Sequence, residues 1–333
     1  MERRRFLKTL AAGGAAALGP ALWPSCSKRA ETIVVYAAVD REVAEPALAA
    51  FTKATGIAVD ALFDSEAAKT VGLAKRIEIE KDRPRADVFW SGESFFTARL
   101  ARAGAFEAAD AWRPAAIHRT IDAGGEHWVG FGARLRVLVH RGERAPAGLA
   151  DLGDPAQRGR VVFAGTRTGT AATHALHLAT SSDGRAILEA IAANRPMIVA
   201  GNGPAARAVK NGGAAIGLTD NDDFLALRGD DPDFRVAIPD QGPGGRGAVL
   251  LTASVAVVKS APNPEAARRF AAWVSGAAGE EWLAANHWPL AEGVAARHDL
   301  PALSAIRLDR PDVDALAGRA EELRRYLDGL FHA

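Results

Sequence analysis

The chain has 333 residues, 48% hydrophobic and 24% charged, with a formal net charge of +1. That is the composition of a soluble globular protein long enough for about two domains. No long basic block follows the N-terminal residues, which argues against nucleic acid as a partner.

The first residues follow a different pattern. Glu2-Arg3-Arg4-Arg5-Phe6-Leu7-Lys8 precedes an Ala/Gly/Leu run from Thr9 to about Trp23. A basic region and then roughly 14 apolar residues is the layout of an export signal, because a membrane span needs about 20. Arg3 to Lys8 resembles the twin-arginine signal, with Glu2 where Ser or Thr is usual. Residues 1–25 are therefore expected to be a signal peptide read by the twin-arginine export machinery, with a periplasmic or otherwise extracytoplasmic product. The single cysteine, Cys26, stands directly after this run and has no partner for an internal disulfide. Its position suggests the lipidated cysteine of a bacterial lipoprotein, although Trp23-Pro24-Ser25 is a poor lipidation motif. The first 25 residues carry four Lys/Arg and one Glu, so their removal takes the net charge from +1 to −2.

Past this point the apolar pattern alternates between strand and helix. Ile33-Val34-Val35-Tyr36 reads as a buried strand, Asp40 to Thr55 as a helix closed by Gly56, and Ile57 to Phe63 as a second strand. Glu66 to Asp82 reads as a helix, Ala86 to Trp90 as a third strand, and Ser94 to Ala103 as a helix. Such β-α-β-α-β-α order predicts a parallel sheet covered on both faces. Trp128–Phe131 and Leu135–His140 read as two strands. A second α/β unit follows, with strands at Val161–Ala164, Pro196–Val199 and Ala214–Leu218, and helices at Ala171–Thr180, Gly184–Asn194 and Pro204–Lys210. Gln241 to Gly247 has linker composition. Ala248 to Lys259 is a long apolar strand, and helices are expected at Pro264–Ser275, Ala278–Ala285 and Asp312 to about Leu330. Strands near 135 and 250 passing between two α/β units imply two lobes with a ligand cleft between them.

Several clusters compete for function. Asp220, Asn221, Asp222 and Asp223 occupy one strand-to-helix turn, where mutual repulsion is costly unless the acids cap the helix or meet a positive ligand. The calcium-loop register is excluded, because it would put Phe224 at a ligand position. Thr168-Gly169-Thr170 before a helix would make an anion site, though no Gly-Lys-Ser/Thr of a Walker loop follows. His174 and His177 share a helix face but lack a third ligand nearby. Neither H-E-x-x-H nor G-x-S-x-G occurs, so no catalytic set is assembled.

Taken together, Ile33–Tyr36, Ala50-Phe51-Thr52-Lys53-Ala54-Thr55-Gly56-Ile57 and Ala86-Asp87-Val88-Phe89-Trp90-Ser91 resemble the start of the periplasmic solute-binding proteins of ABC importers. Gly132-Ala133-Arg134-Leu135-Arg136-Val137, Asp151-Leu152 through Arg158-Gly159-Arg160-Val161, and Trp288-Pro289-Leu290 extend the likeness over nearly all of residues 31–300. It is nearest to the ferric-ion-binding branch of the type II periplasmic-binding-protein fold. The resemblance implies an α/β, two-lobed Venus flytrap, each lobe a mixed sheet flanked by helices. Lobe one would be residues 31–134 plus 248–300, and lobe two residues 135–247, with 301–333 a helical segment packed on both. It implies a monomeric, non-enzymatic protein that serves an ABC permease and holds no cofactor beyond the transported ligand, such as Fe(III) or another metal ion.

By position, the tyrosine pair of ferric-binding relatives falls on Asp222-Asp223. Their first-turn ligand falls on Asp40 and their glutamate on or near Glu93. Their anion loop falls on Thr168-Gly169-Thr170, with Arg134 as its basic companion. Phenolate coordination cannot operate here, but carboxylates suit ferric iron and other hard cations. The rival ligand is a zwitterion such as an aminophosphonate, whose amine would meet the aspartates. A metal-dependent hydrolase and a structural lipoprotein are the remaining alternatives.

Overall fold

The computed structural model describes residues 31–64, 71–115 and 124–331. The expected signal peptide and Cys26 lie outside the described residues, as does the start of the helix expected from Glu66.

The first unit is β1 (Thr32–Ala38), α1 (Arg41–Thr55), β2 (Ala58–Phe63), α2 (Val71–Ile79), β3 (Val88–Ser91) and α3 (Phe95–Arg102). Helix α1 buries Ala44, Ala47, Leu48 and Phe51 on one face, and Gly56 closes it at φ 74°. Strand β4 (Gly124–Gly125) leads into β5 (Trp128–Arg141). The second unit is β6 (Val161–Ala164), α4 (Gly169–Leu178), α5 (Ser182–Ala193), β7 (Met197–Val199), α6 (Asn202–Lys210), β8 (Ile216–Asp220), α7 (Asn221–Leu227) and β9 (Phe234–Ala237). The chain then returns through β10 (Ala248–Val257), α8 (Pro264–Val274), α9 (Ala277–Leu283), β11 (Leu308–Asp309), α10 (Val313–Gly318) and α11 (Ala320–Phe331).

Strand order is β2-β1-β3-β10-β5-β8-β6-β7. The parallel set β2-β1-β3 meets β10 antiparallel, and β10 meets β5 antiparallel. Beyond β5, β8 and β9 run antiparallel to it, while β6 lies parallel to β7 and β8. Strand β5 changes partners along its length. Residues Val129–Phe131 and Ala133–Leu135 pair with β10, and Arg136–His140 pair with β8. This is the two-lobed α/β arrangement of the type II periplasmic-binding-protein fold, each lobe a mixed sheet flanked by helices.

Two expectations are corrected, and β9 adds an element to them. The two strands expected at 128–131 and 135–140 are the single strand β5. Gly132 interrupts the apolar pattern, but its φ of +57° and a register shift opposite, between Thr252 and Ala253, absorb the irregularity without ending the strand. The long C-terminal helix is two helices, broken after Gly318 at Arg319. Strand β9 was not expected; its four residues pair with β5 at Leu138–Arg141.

The larger core holds an aromatic cluster in which Phe270 meets Phe51 edge-on at 5.0 Å and Trp90 at 6.1 Å. A separate cluster around Val139, Val162, Phe224 and Phe234 fills the second unit. Helix α11 touches both units: Arg324 lies over the ring of Phe96 at 5.2 Å, and Phe331 meets Phe163 at 5.4 Å. Among the described residues no helix is long and apolar enough to cross a membrane.

Candidate functional site

Strand ends and helix starts from both units converge on a cleft of about 520 Å³. Ala38 to Val43, at the β1–α1 turn, line one wall together with Trp90, Gly92 and Glu93 after β3. Facing them are Thr168-Gly169-Thr170 at the start of α4, Gly201-Asn202-Gly203 at the start of α6, and Asp220, Asp222 and Asp223 at the β8–α7 turn. Arg134 enters from β5 and His287 from the segment after α9. Of the sequence-predicted residues, only Asn221 does not line the cleft.

Asp220 precedes α7, yet its side chain makes no capping bond. Its carboxylate is instead held from three sides. Arg136 Nη1 lies 2.7 Å from Oδ1, while Thr170 Oγ1 and Asn202 Nδ2 donate to Oδ2 at 2.6 and 3.0 Å. Burial alone would raise this carboxyl, but Arg136 and Arg134 outweigh it and hold the group below the usual carboxylate range. Asp220 is therefore ionised and saturated.

Asp222 and Asp223 are not. Both fall in the first turn of α7, where the helix dipole favours acids. Arg134 Nη1 donates to Asp222 Oδ2 at 3.2 Å, but Asp222 Oδ1 has no hydrogen-bond partner among the described residues. Thr219 Oγ1 donates to Asp223 Oδ2 at 3.0 Å. Burial raises the Asp222 carboxyl and Asp220 adds to the rise, against the pull of Arg134. Burial, then repulsion from Asp222 and Asp220, pushes Asp223 up to about 8. Oxygen atoms of the three acids lie within 4.8 Å of one another. Such a group is unfavourable without a cation and becomes favourable with one.

Arg134 bridges the walls, since its second terminal nitrogen donates to the Gly92 carbonyl. His287 is buried behind it, with Nε2 3.8 Å from Asp222 Oδ2. Burial and then Arg134 drive its imidazole down to about 3, so the ring is neutral, although the Leu283 carbonyl pulls the other way.

Glu93 lies at the cleft but has other partners. Its oxygens accept the backbone N–H groups of Phe95 and Phe96 at 2.7 and 3.1 Å, which caps α3, and the Thr173 hydroxyl of α4 at 3.1 Å. Asp40 precedes α1 and its carbonyl accepts the Val43 and Ala44 N–H groups. Thr168 is extended and makes no side-chain cap bond, and Gly169 has φ +65°. Thr168-Gly169-Thr170 and Gly201-Asn202-Gly203 thus line the cleft at helix starts, whose first N–H groups have no partner within the helix. Asn221 does a structural job, accepting Leu135 N–H at 2.8 Å and donating to the Asn286 carbonyl at 2.6 Å. His174 and His177 do not converge. Buried His174 accepts from Arg136 Nε at 3.4 Å, and His177 pairs with Asp309 at 2.9 Å.

Sequence reasoning missed Arg136, Asn202 and His287. Arg136 carried a readable signal: it is a charged residue inside the apolar run Leu135 to Val139 of a two-sided strand. Asn202, between Gly201 and Gly203, carried none. His287 stands beside the Trp288-Pro289-Leu290 match, but nothing local marks it.

The family model for bacterial extracellular solute-binding proteins matches residues 33–288. The major ferric iron-binding protein of Neisseria gonorrhoeae is 27% identical over 304 residues, covering 85% of this chain and 87% of that protein. Iron-bound HitA from Pseudomonas aeruginosa superposes with a TM-score of 0.76 at 25% identity, covering 89% of this chain and 99% of that one. AfuA from Actinobacillus pleuropneumoniae, solved with exogenous fructose-6-phosphate, has a TM-score of 0.73 at 17% identity and covers 91% and 99%.

Proposed function

The chain belongs to the bacterial extracellular solute-binding proteins, and from that premise we propose that its cleft captures a hard cation, ferric iron first, for an ABC importer. It is a binding protein of the extracytoplasmic space and not an enzyme. The observation that carries the cation reading is the contrast within one turn. Asp220 is neutralised by Arg136, while Asp222 and Asp223 remain crowded, with raised carboxyls and an unused oxygen.

In this reading Asp222 and Asp223 are the principal ligands and Asp40 faces them across the cleft. Glu93 contributes less to the ion, because its oxygens already serve α3 and Thr173, and more to holding the walls together. A companion anion would take the N–H groups at Thr168-Gly169-Thr170 and the Arg134 guanidinium once the cation draws Asp222 away. Lobe closure over both would present the surface that an ABC permease reads. The lobes would divide at 31–134 plus 248–300 and 135–247, a division supported by the change of partners along β5. Export through the twin-arginine route, lipidation at Cys26 and a monomeric state complete the proposal.

One observation favours a second ligand. A volume of about 520 Å³ exceeds what a single ion needs and falls in the range of small organic ligands. A zwitterion such as an aminophosphonate would set its amine on Asp222 and Asp223 and its phosphonate on the starts of α4 and α6. Metal-detected mass spectrometry on purified protein, followed by thermal shifts with metals and phosphonates, separates the two. Stabilisation by phosphonates with no response to Fe(III), Ca(II) or Mn(II) would replace the cation with the zwitterion.

A further inference from the structure

We propose that His287 supplies a nitrogen ligand to the cation held by Asp222 and Asp223, so that the cargo is a first-row transition ion, iron included, and not calcium or magnesium. This rests on the cation reading and deepens it.

His287 is 7% exposed, and what remains open faces the cleft. Its Nδ1 has no hydrogen-bond partner among the described residues, and Nε2 stands 3.8 Å from Asp222 Oδ2, too far for a hydrogen bond. A ring nitrogen buried without a well-formed hydrogen bond is costly, and a metal on Nε2 would fix the proton on Nδ1, on the side where the Leu283 carbonyl acts on the ring. Two donors each about 2.0–2.2 Å from one metal lie roughly 3–3.5 Å apart, so Nε2 and Asp222 Oδ2 need only a small contraction, while Asp223 would reach the ion from the acidic group itself. The ion would displace Arg134 from Asp222 Oδ2, and Oδ1, the oxygen without a partner, is open to the same ion.

The backbone that carries the ring is also held in place. The His287 backbone N–H donates to the Leu283 carbonyl at 2.8 Å. Trp288 exchanges backbone hydrogen bonds with Ala133 of β5 at 2.8 and 2.9 Å. The preceding Asn286 carbonyl accepts from Asn221, the residue next to the acids. The His287 segment and the turn that carries the aspartates are thus tied together through β5 and α7. Calcium and magnesium prefer all-oxygen shells, whereas imidazole suits iron, zinc, nickel and copper.

The test uses the purified mature protein with the chloride salts of Mn(II), Zn(II) and Ca(II) in titration calorimetry, and pulsed EPR on the Mn(II) complex. The wild type is expected to bind Zn(II) more tightly than Ca(II) and to show nitrogen coupling at Mn(II). His287→Ala should weaken Zn(II) by about 10- to 100-fold or more, leave Ca(II) nearly unchanged and lose the nitrogen signal. His287→Gln, which keeps the site filled, should retain the wild-type melting temperature yet also lose the signal. A wild type that binds metal without nitrogen coupling, or a Zn-to-Ca ratio unchanged in folded His287→Ala, would overturn the assignment of His287 while leaving the cation reading intact. No cation bound by the wild type would overturn both.

Discussion

Asp220 and the Asp222–Asp223 pair sit two residues apart at one turn, and their surroundings are opposite. Asp220 receives Arg136, Thr170 and Asn202, and its carboxyl is held low. Asp222 and Asp223 share one guanidinium and one hydroxyl, and their carboxyls are pushed up. The difference teaches that an acidic cluster has to be divided before it can be interpreted. The satisfied member braces β8 against β5 and α4. The members short of partners are the ones positioned to gain from a ligand.

The comparison can be broken most forcefully at its satisfied end. Arg136→Leu strips Asp220 of its main partner inside the protein and should destabilise the fold by about 3–5 kcal/mol in urea melts. The same treatment of the other end should act in the opposite sense. Asp222→Asn with Asp223→Asn relieves repulsion, and relief of about 1 kcal/mol would raise the melting temperature of the ligand-free protein by about 2–4 °C. A drop in both experiments would erase the distinction.

Smaller effects sharpen it. Glu93 resembles Asp220 in being fully engaged, although burial still pushes its carboxyl up against the bonds from Phe96, Phe95 and Thr173. Glu93→Ala should cost about 1–2 kcal/mol through loss of the α3 cap, and weaken cation binding less than the aspartate changes do. Asp309 tests the rule away from the cleft. Burial raises its carboxyl, but His177 and Arg246 overcome this and hold it low. A depressed folded-state pKa binds fewer protons than the unfolded chain, so its stabilisation is present above the unfolded value of about 3.9 and is lost as pH falls through the folded value. Asp309→Asn should therefore flatten the acid limb of the stability curve below about pH 4. The effect should stay under about 1 kcal/mol because the group is partly exposed.

Much of the fold was legible because each unit obeys a single period. The strands from Ile33 to Ala164 and the helices with Gly56 or Gly104 at their ends announce themselves locally. What was not legible depends on contacts distant in sequence. Gly132 looks like a break, and only the opposing shift at Thr252 and Ala253 keeps β5 continuous. Strand β9 is four residues long and exists because β5 offers an edge. The site divided in the same way. The aspartates and the Thr168 turn are visible as types and spacing, and Arg134 through the family resemblance. The partition among the acids is not, because Arg136, Asn202 and His287 come from three other segments. Asn221 was placed in the cluster by adjacency, but the helical turn directs it toward Leu135 and Asn286.

The most direct test counts cations per chain. Purified wild type loaded with Fe(III) citrate and then desalted should carry about one metal ion by elemental mass spectrometry. Asp222→Asn with Asp223→Asn should carry none while melting at or above the wild-type temperature. An equal metal content in the two proteins, or a wild type that retains no metal from a panel that also includes Mn(II) and Zn(II), would contradict the account.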